Sequence, residues 1–198
     1  MNVCVYCSSS DDIDREYLEI AAEVGAELAR RGHTLVSGGG SVSCMGAVAR
    51  AARAGGARTV GVIPRALIEW EVSDTESDEM IVTETMRERK GVMDARSDAF
   101  LALSGGLGTL EELLEIWVAA VLGMHDKPIV VLDPTGLFAH LRLQVDELVR
   151  RGFVRPRARD AIWWAESVPV AFDILAASHR RPPAIPGGPT VAERIEGE

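Results

Sequence analysis

No apolar run in the 198-residue chain is long enough to cross a bilayer, and the N-terminus enters a strand pattern at once, without a basic region or cleavage site. The protein is therefore expected to be cytoplasmic, with no membrane partner. Cysteine is scarce: Cys4, Cys7 and Cys44 are too few and too scattered for a disulfide framework. Cys4 and Cys7 do form C-x-x-C, but on a strand of period two they point to opposite faces, whereas a redox pair needs a helix start. His33, His125, His140 and His179 show no paired ligand spacing, so no metal is expected. Positive charge is in deficit, 21 Lys and Arg against 30 Asp and Glu, for a net charge of −9. That balance argues against a nucleic-acid partner and leaves room for a local anion pocket. Lysine is almost missing, with Lys90 and Lys127 alone.

What is present is a globular composition, 47% hydrophobic, in a length that can bury one substantial core. Residues 2–7 read as a buried first strand, followed by a serine- and aspartate-rich turn. Residues 17–28 carry apolar side chains at spacings of three and four, an amphipathic helix ended by Arg30-Arg31-Gly32. A short strand at 34–36 runs into Gly38-Gly39-Gly40 and an alanine-rich helix. A third strand at 59–63 stops at Pro64. Residues 65–79 are acidic and without a clear period, either a loop over a site or a solvated connection. A short strand at 80–82 and a helix at 84–96 follow. Further strands are expected at 128–132 and 162–164, and helices at 136–150 and 168–177. This alternation predicts an α/β fold, a doubly wound parallel sheet with helices on both faces. It predicts one domain over 1–179 and a flexible Pro/Gly-rich tail over 180–198.

The most informative stretch is 97–122. An apolar strand meets Ser104-Gly105-Gly106-Leu107-Gly108-Thr109, and a helical pattern opens with Leu110-Glu111-Glu112. A glycine turn lets a ligand approach the backbone, and the first helical N–H groups have no intrahelical partner. Together with the helix dipole they favour a phosphate. Glutamates beside such an anion site need a reason. Thr109-Leu110-Glu111-Glu112 has the T-x-x-E form of a capping box, in which Glu112 bonds back to the threonine N–H; the alternative is that Glu112 has its own chemical task. Neither glycine junction spells G-x-G-x-x-G or ends in G-K-[ST], so NAD and ATP hydrolysis are poor first readings and no cofactor is expected. Residues 116–122 are apolar on every helical face, which predicts a homodimer packed partly through that helix.

These motifs, in order and at spacing, resemble the Lonely Guy (LOG) family, cytokinin riboside 5′-monophosphate phosphoribohydrolases once labelled lysine decarboxylases. The resemblance runs from about Val3 to Leu175. The family's P-G-G-x-G-T-x-x-E is matched from Ser104 to Glu112, its M-x-x-R-K by Met86 to Lys90, and its G-G-G-x-x-x-x-M-G by Gly38, Gly39 and Gly40 with Met45 and Gly46. It implies hydrolysis of the N-glycosidic bond of a nucleoside 5′-monophosphate, giving an adenine-type base and ribose 5-phosphate. The family's catalytic arginine and glutamate fall on Arg89 and Glu112. Its substrate contacts fall on Glu71, Lys90, Met86, Gly39, Gly40 and the turn Gly105, Gly106, Leu107, Gly108, Thr109, Leu110 and Glu111. Val118 stands where relatives place a threonine that contacts nucleotide. Ser104 replaces the proline of the phosphate turn, and Ser43 and Cys44 replace a glycine and a leucine.

The chemistry fits that implication, because breaking a ribosyl C–N bond builds oxocarbenium character that a carboxylate can stabilise. A cation beside Glu112 would keep that carboxylate ionised. Arg89 would hold the carboxylate, neutralise the phosphate or assist the departing base; the sequence does not choose. Two other readings stand beside this one: a general AMP nucleosidase, and a non-catalytic carrier of nucleotide or molybdenum cofactor. A decarboxylase would need a lysine for a Schiff base, and Lys90 already belongs to the nucleotide motif.

Overall fold

The computed structural model describes residues 1–68 and 73–179. The chain alternates β1 (Asn2–Tyr6), α1 (Arg15–Arg30), β2 (Thr34–Ser37), α2 (Ser43–Ala54), β3 (Thr59–Pro64), α3 (Arg65–Ile68), β4 (Glu79–Thr83) and α4 (Met86–Ala95). It continues with β5 (Ala99–Ala102), α5 (Leu107–Val121), β6 (Ile129–Leu132), α6 (Ala139–Arg150), α7 (Pro156–Arg159), β7 (Trp163–Ala165) and α8 (Val168–His179). The seven strands form one sheet in the order β4-β3-β2-β1-β5-β6-β7, and every pairing is parallel. This is a doubly wound α/β sheet. From β1 the chain winds outward to β4, then returns to the other side of β1 for β5. The order reverses between β1 and β5, where loops leave the strand ends in opposite directions and open a crevice.

Strand pleating divides the core. Val3, Val5 and Cys7 point into one cluster with residues of α1, α2 and α8, whereas Cys4 and Tyr6 point into the other with residues of α4, α5 and α6. Cys4 and Cys7 thus lie on opposite faces, as the period of two requires. Burial pushes the Cys4 thiol up to about 12, and it raises Cys7 and Cys44 as well. All three are free and buried. No described helix is long and apolar enough to cross a membrane.

The one-turn helices α3 and α7 lie in segments too short to show a helical period. The helix at 136–150 begins only at Ala139, since residues 134–136 form a turn in which the Asp133 carboxylate accepts the Phe138 N–H. Glu71 and the 180–198 tail lie outside the described residues.

Two groups at the other end of the sheet contribute to the acid response. His33, between α1 and β2, stacks on Phe172 at 6.2 Å. Burial holds its pKa below the ordinary 6.5. Glu27 accepts hydrogen bonds from Arg30 and Arg31 at 2.6 Å, and chiefly the Arg30 bond lowers it from 4.5 to about 2. Both folded pKa values lie below the unfolded ones, so in each window the unfolded chain binds more protons and stability falls as pH falls. Melting temperature is expected to drop first as pH descends below 6.5, through His33, and again below 4.5, through Glu27 together with Asp78, Glu79, Glu84 and Glu147, whose carboxyls are also held below their ordinary values. His33→Leu should flatten the first limb and leave the second, as a melting series across pH would read.

Candidate active site

The glycine turn after β5 places the start of α5 at the crevice. α5 begins at Leu107 with Gly106 as N-cap, and no side chain caps it. Thr109 is therefore in the first turn and Glu112 in the second, so Glu112 is not the return arm of a capping box. The buried side of α5 reads Thr109, Glu112, Leu113, Ile116, Trp117, the three-four spacing of one helix face. Its apolar members sit in the core with β1 and β5, and its two polar members face the crevice. Thr109 folds back over Gly105, whose Cβ, if present, would lie 2.1 Å from the threonine Oγ1. Only glycine allows that contact.

α4 supplies the cation. Thr85 caps it by accepting the Glu88 N–H at 3.1 Å, while Glu88 accepts the Glu84 N–H at 2.9 Å. Arg89 and Met93 form its buried face. The Arg89 guanidinium donates through Nε to the Val62 carbonyl of β3 at 3.0 Å and through Nη1 to Glu112 Oε1 at 3.3 Å. Arg89 is 7% exposed and Glu112 9%, so the pair is screened little by water. Gly38, at the end of β2, makes room for it: a Cβ there would lie 1.9 Å from Arg89 Nη2. On the outer side of the same two helices Lys90 pairs with Glu111 and, at 2.6 Å, with Glu115. Those bonds raise the Lys90 pKa and pin α4 to α5.

Arg89 and Glu112 open onto a cavity of about 280 Å³. Of the residues singled out from sequence, Met86, Arg89, Gly106, Leu107, Gly108, Thr109 and Glu112 line it. Gly105 lies beneath Thr109, and Leu110 packs into the core below. Gly39 and Gly40 stand behind Gly38, bonded to the returning chain at Asp74 and Ser73. Lys90 and Glu111 are occupied with each other, and Val118 is on the exposed side of α5. The sequence reading missed the opposite wall. Tyr6, Cys7 and the 8–10 loop line the cavity from the end of β1, with Leu67 and Met93, beside Gly38 and Met45 of the triple-glycine motif. The signal was present in the topology, since the loop after β1 must face the turn after β5 at the reversal point.

The family model described as possible lysine decarboxylase matches residues 45–175. The chain is 52% identical over 176 residues to the cytokinin riboside 5′-monophosphate phosphoribohydrolase of Mycobacterium tuberculosis, covering 89% of this chain and 94% of that one. It is 54% identical over 174 residues to the protein of the same name from Mycobacterium marinum, covering 88% and 92%. The chain belongs to the Lonely Guy family. Among solved structures, the molybdenum cofactor carrier protein of Chlamydomonas reinhardtii superposes with a TM-score of 0.71 at 22% identity, over 91% of this chain and 98% of that one. At that identity the likeness to this LOG chain is one of fold alone. The older decarboxylase description finds no nucleophile here. Lys90 is held charged by Glu111 and Glu115, and Lys127 donates to the Asp94 carbonyl at 2.7 Å and carboxylate at 2.6 Å, whereas a Schiff-base lysine must be neutral and free.

Proposed function

We propose that this chain hydrolyses the N-glycosidic bond of adenine-type nucleoside 5′-monophosphates of the cytokinin class, releasing the free base and ribose 5-phosphate. The observation that carries the reading is the buried Arg89–Glu112 pair, opening onto a cavity bounded by the uncapped N-terminus of α5. The 5′-phosphate sits on the N–H groups of 106–109 with the Thr109 hydroxyl, and that binding positions C1′ against the carboxylate. As the C1′–N bond breaks, its electron pair leaves with the base. Glu112 stabilises the positive charge growing on the sugar and takes a proton from the water whose oxygen bonds to C1′. The departing base takes a proton from solvent water, and Glu112 returns the proton it took to solvent, so the protons balance over one turnover. Glu112 is the one carboxylate among the described lining residues. With Nε on Val62 and Nη1 on Glu112, the Arg89 geometry favours holding the carboxylate over the other roles open to it.

The apolar part of the lining, Met45, Leu67, Met86, Met93 and Leu107, favours a base with an apolar substituent over plain adenine. Methionines adapt to irregular apolar shapes. Base release from isopentenyladenosine 5′-monophosphate should therefore exceed that from AMP at equal concentration; a preference for AMP would assign a general nucleotide nucleosidase.

The enzyme works as a cytoplasmic homodimer in this reading. α5 exposes an apolar stripe of Leu107, Leu114, Val118 and Leu122, with Leu107 at 86% and Leu122 at 64%, on the side away from its own sheet. Leu122→Glu is expected to convert a dimer into a monomer in sedimentation at micromolar concentration. A monomeric unaltered protein would remove the dimer.

A further inference from the structure

Among the described residues Ser43 alone, apart from glycines, has a positive φ, at 50°. Side chains with a Cβ rarely adopt that region, and a residue kept there marks a position the surroundings over-determine. Ser43 opens α2, yet no side chain caps that helix. Its hydroxyl goes elsewhere: Oγ donates to the Ser10 carbonyl at 2.5 Å, in a site only 6% exposed. Ser10 belongs to the loop after β1, which a bond between the Ser8 backbone and Cys44 of α2 also holds. The Ser10 N–H donates to Ser8 Oγ at 3.1 Å and the Asp12 N–H to Ser10 Oγ at 3.3 Å. Ser43 therefore ties the loop after β1 to the turn after β2, across neighbouring strands. Ser8, Ser9 and Ser10 line the cavity, and Ser43 does not.

We propose that Ser43 is a positioning residue that accepts backbone strain in order to latch the 8–10 loop as one wall of the nucleotide cavity. A glycine would reach the same φ without strain but would leave Ser10 unlatched. The latched wall faces the turn at 106–109 across the cavity, so the sugar and phosphate of a nucleotide are held between two fixed loops. This inference rests on the nucleotide reading above. It concerns ground-state binding, so affinity rather than the chemical step should respond.

The test compares Ser43→Gly with Ser43→Ala in three measurements: melting temperature, amide exchange of residues 8–12, and AMP affinity by calorimetry in a Glu112→Gln background. Ser43→Gly removes strain and latch together. Its melting temperature should stay level or rise, while loop exchange quickens and AMP affinity weakens by about five- to tenfold, as loss of one hydrogen bond allows. Ser43→Ala keeps the strain and loses the latch, so the same loosening should come with a lower melting temperature. Unchanged loop exchange in both variants overturns the latch. Faster exchange with unchanged affinity overturns its positioning role. If the unaltered protein binds neither AMP nor isopentenyladenosine 5′-monophosphate, the nucleotide reading falls, and the exchange comparison still decides the latch.

Discussion

Glu112→Gln is expected to keep the fold and lower turnover by roughly 10²–10⁴, the range for a positioned acid–base group. The substitution is isosteric. Its amide oxygen can still accept from Arg89 Nη1, and Arg89 retains its bond to Val62 at 3.0 Å. The apolar neighbours Leu113 and Ile116 hold α5 in the core independently of the charge. Breaking a buried ion pair is costly when a charge is stranded without partners, and here the remaining hydrogen bonds avoid that outcome. What glutamine cannot do is carry negative charge beside an oxocarbenium or take a proton from water. Melting temperature near that of the unaltered protein, nucleotide affinity retained and turnover largely lost is the expected combination from thermal melting and steady-state base release. Turnover near normal would leave Glu112 a structural partner of Arg89.

Gly38→Ala is expected to cost about 10² in turnover without replacing either member of the Arg89–Glu112 pair, the loss that a misplacement of about 1 Å can bring. A methyl group there would fall 1.9 Å from Arg89 Nη2 and 3.0 Å from its Cζ. The guanidinium cannot yield without lengthening its bonds to Val62 and Glu112, and Glu112 moves with it. The turn at 106–109 is untouched, so nucleotide affinity should change less than turnover. Gly91→Ala is the control. It also lies on α4, with open space where its Cβ would be, and should gain about 0.5–1 kcal/mol of helix stability with activity unchanged. Equal turnover in the Gly38→Ala and Gly91→Ala variants would mean that Arg89 tolerates displacement and that its position is not critical.

Much of this site was legible before the structure, for identifiable reasons. The strand, glycine turn and helix around Gly105 and Glu112 are local, so composition and spacing report them directly. Met86, Lys90 and Met93 read as one helix face with Arg89 adjoining it, whereas in the structure Arg89 and Met93 are the buried side and Lys90 is outside. The opposite faces of Cys4 and Cys7 follow from the strand period. What failed was whatever depends on a partner distant in the chain. Thr109 and Glu112 match a capping box letter by letter, but Gly106 takes the cap and Glu112 turns to Arg89, 23 residues earlier. The ion pairs of Lys90 with Glu111 and Glu115 were likewise hidden, because they depend on α4 and α5 lying side by side. Gly38 reads as one more turn glycine until Arg89 is seen against it. Ser43 reads in the sequence only as a departure from the family's glycine, since neither a φ of 50° nor a bond to Ser10 leaves any periodicity there.

Product analysis tests the proposed reaction most directly. The protein would be incubated with AMP and, separately, with isopentenyladenosine 5′-monophosphate, and each reaction assayed for free base, ribose 5-phosphate, nucleoside and inorganic phosphate. Free base and ribose 5-phosphate in equal amounts from at least one substrate, lost in Glu112→Gln, is the expected result. Nucleoside with inorganic phosphate, or tight nucleotide binding with no base released from either, would contradict it.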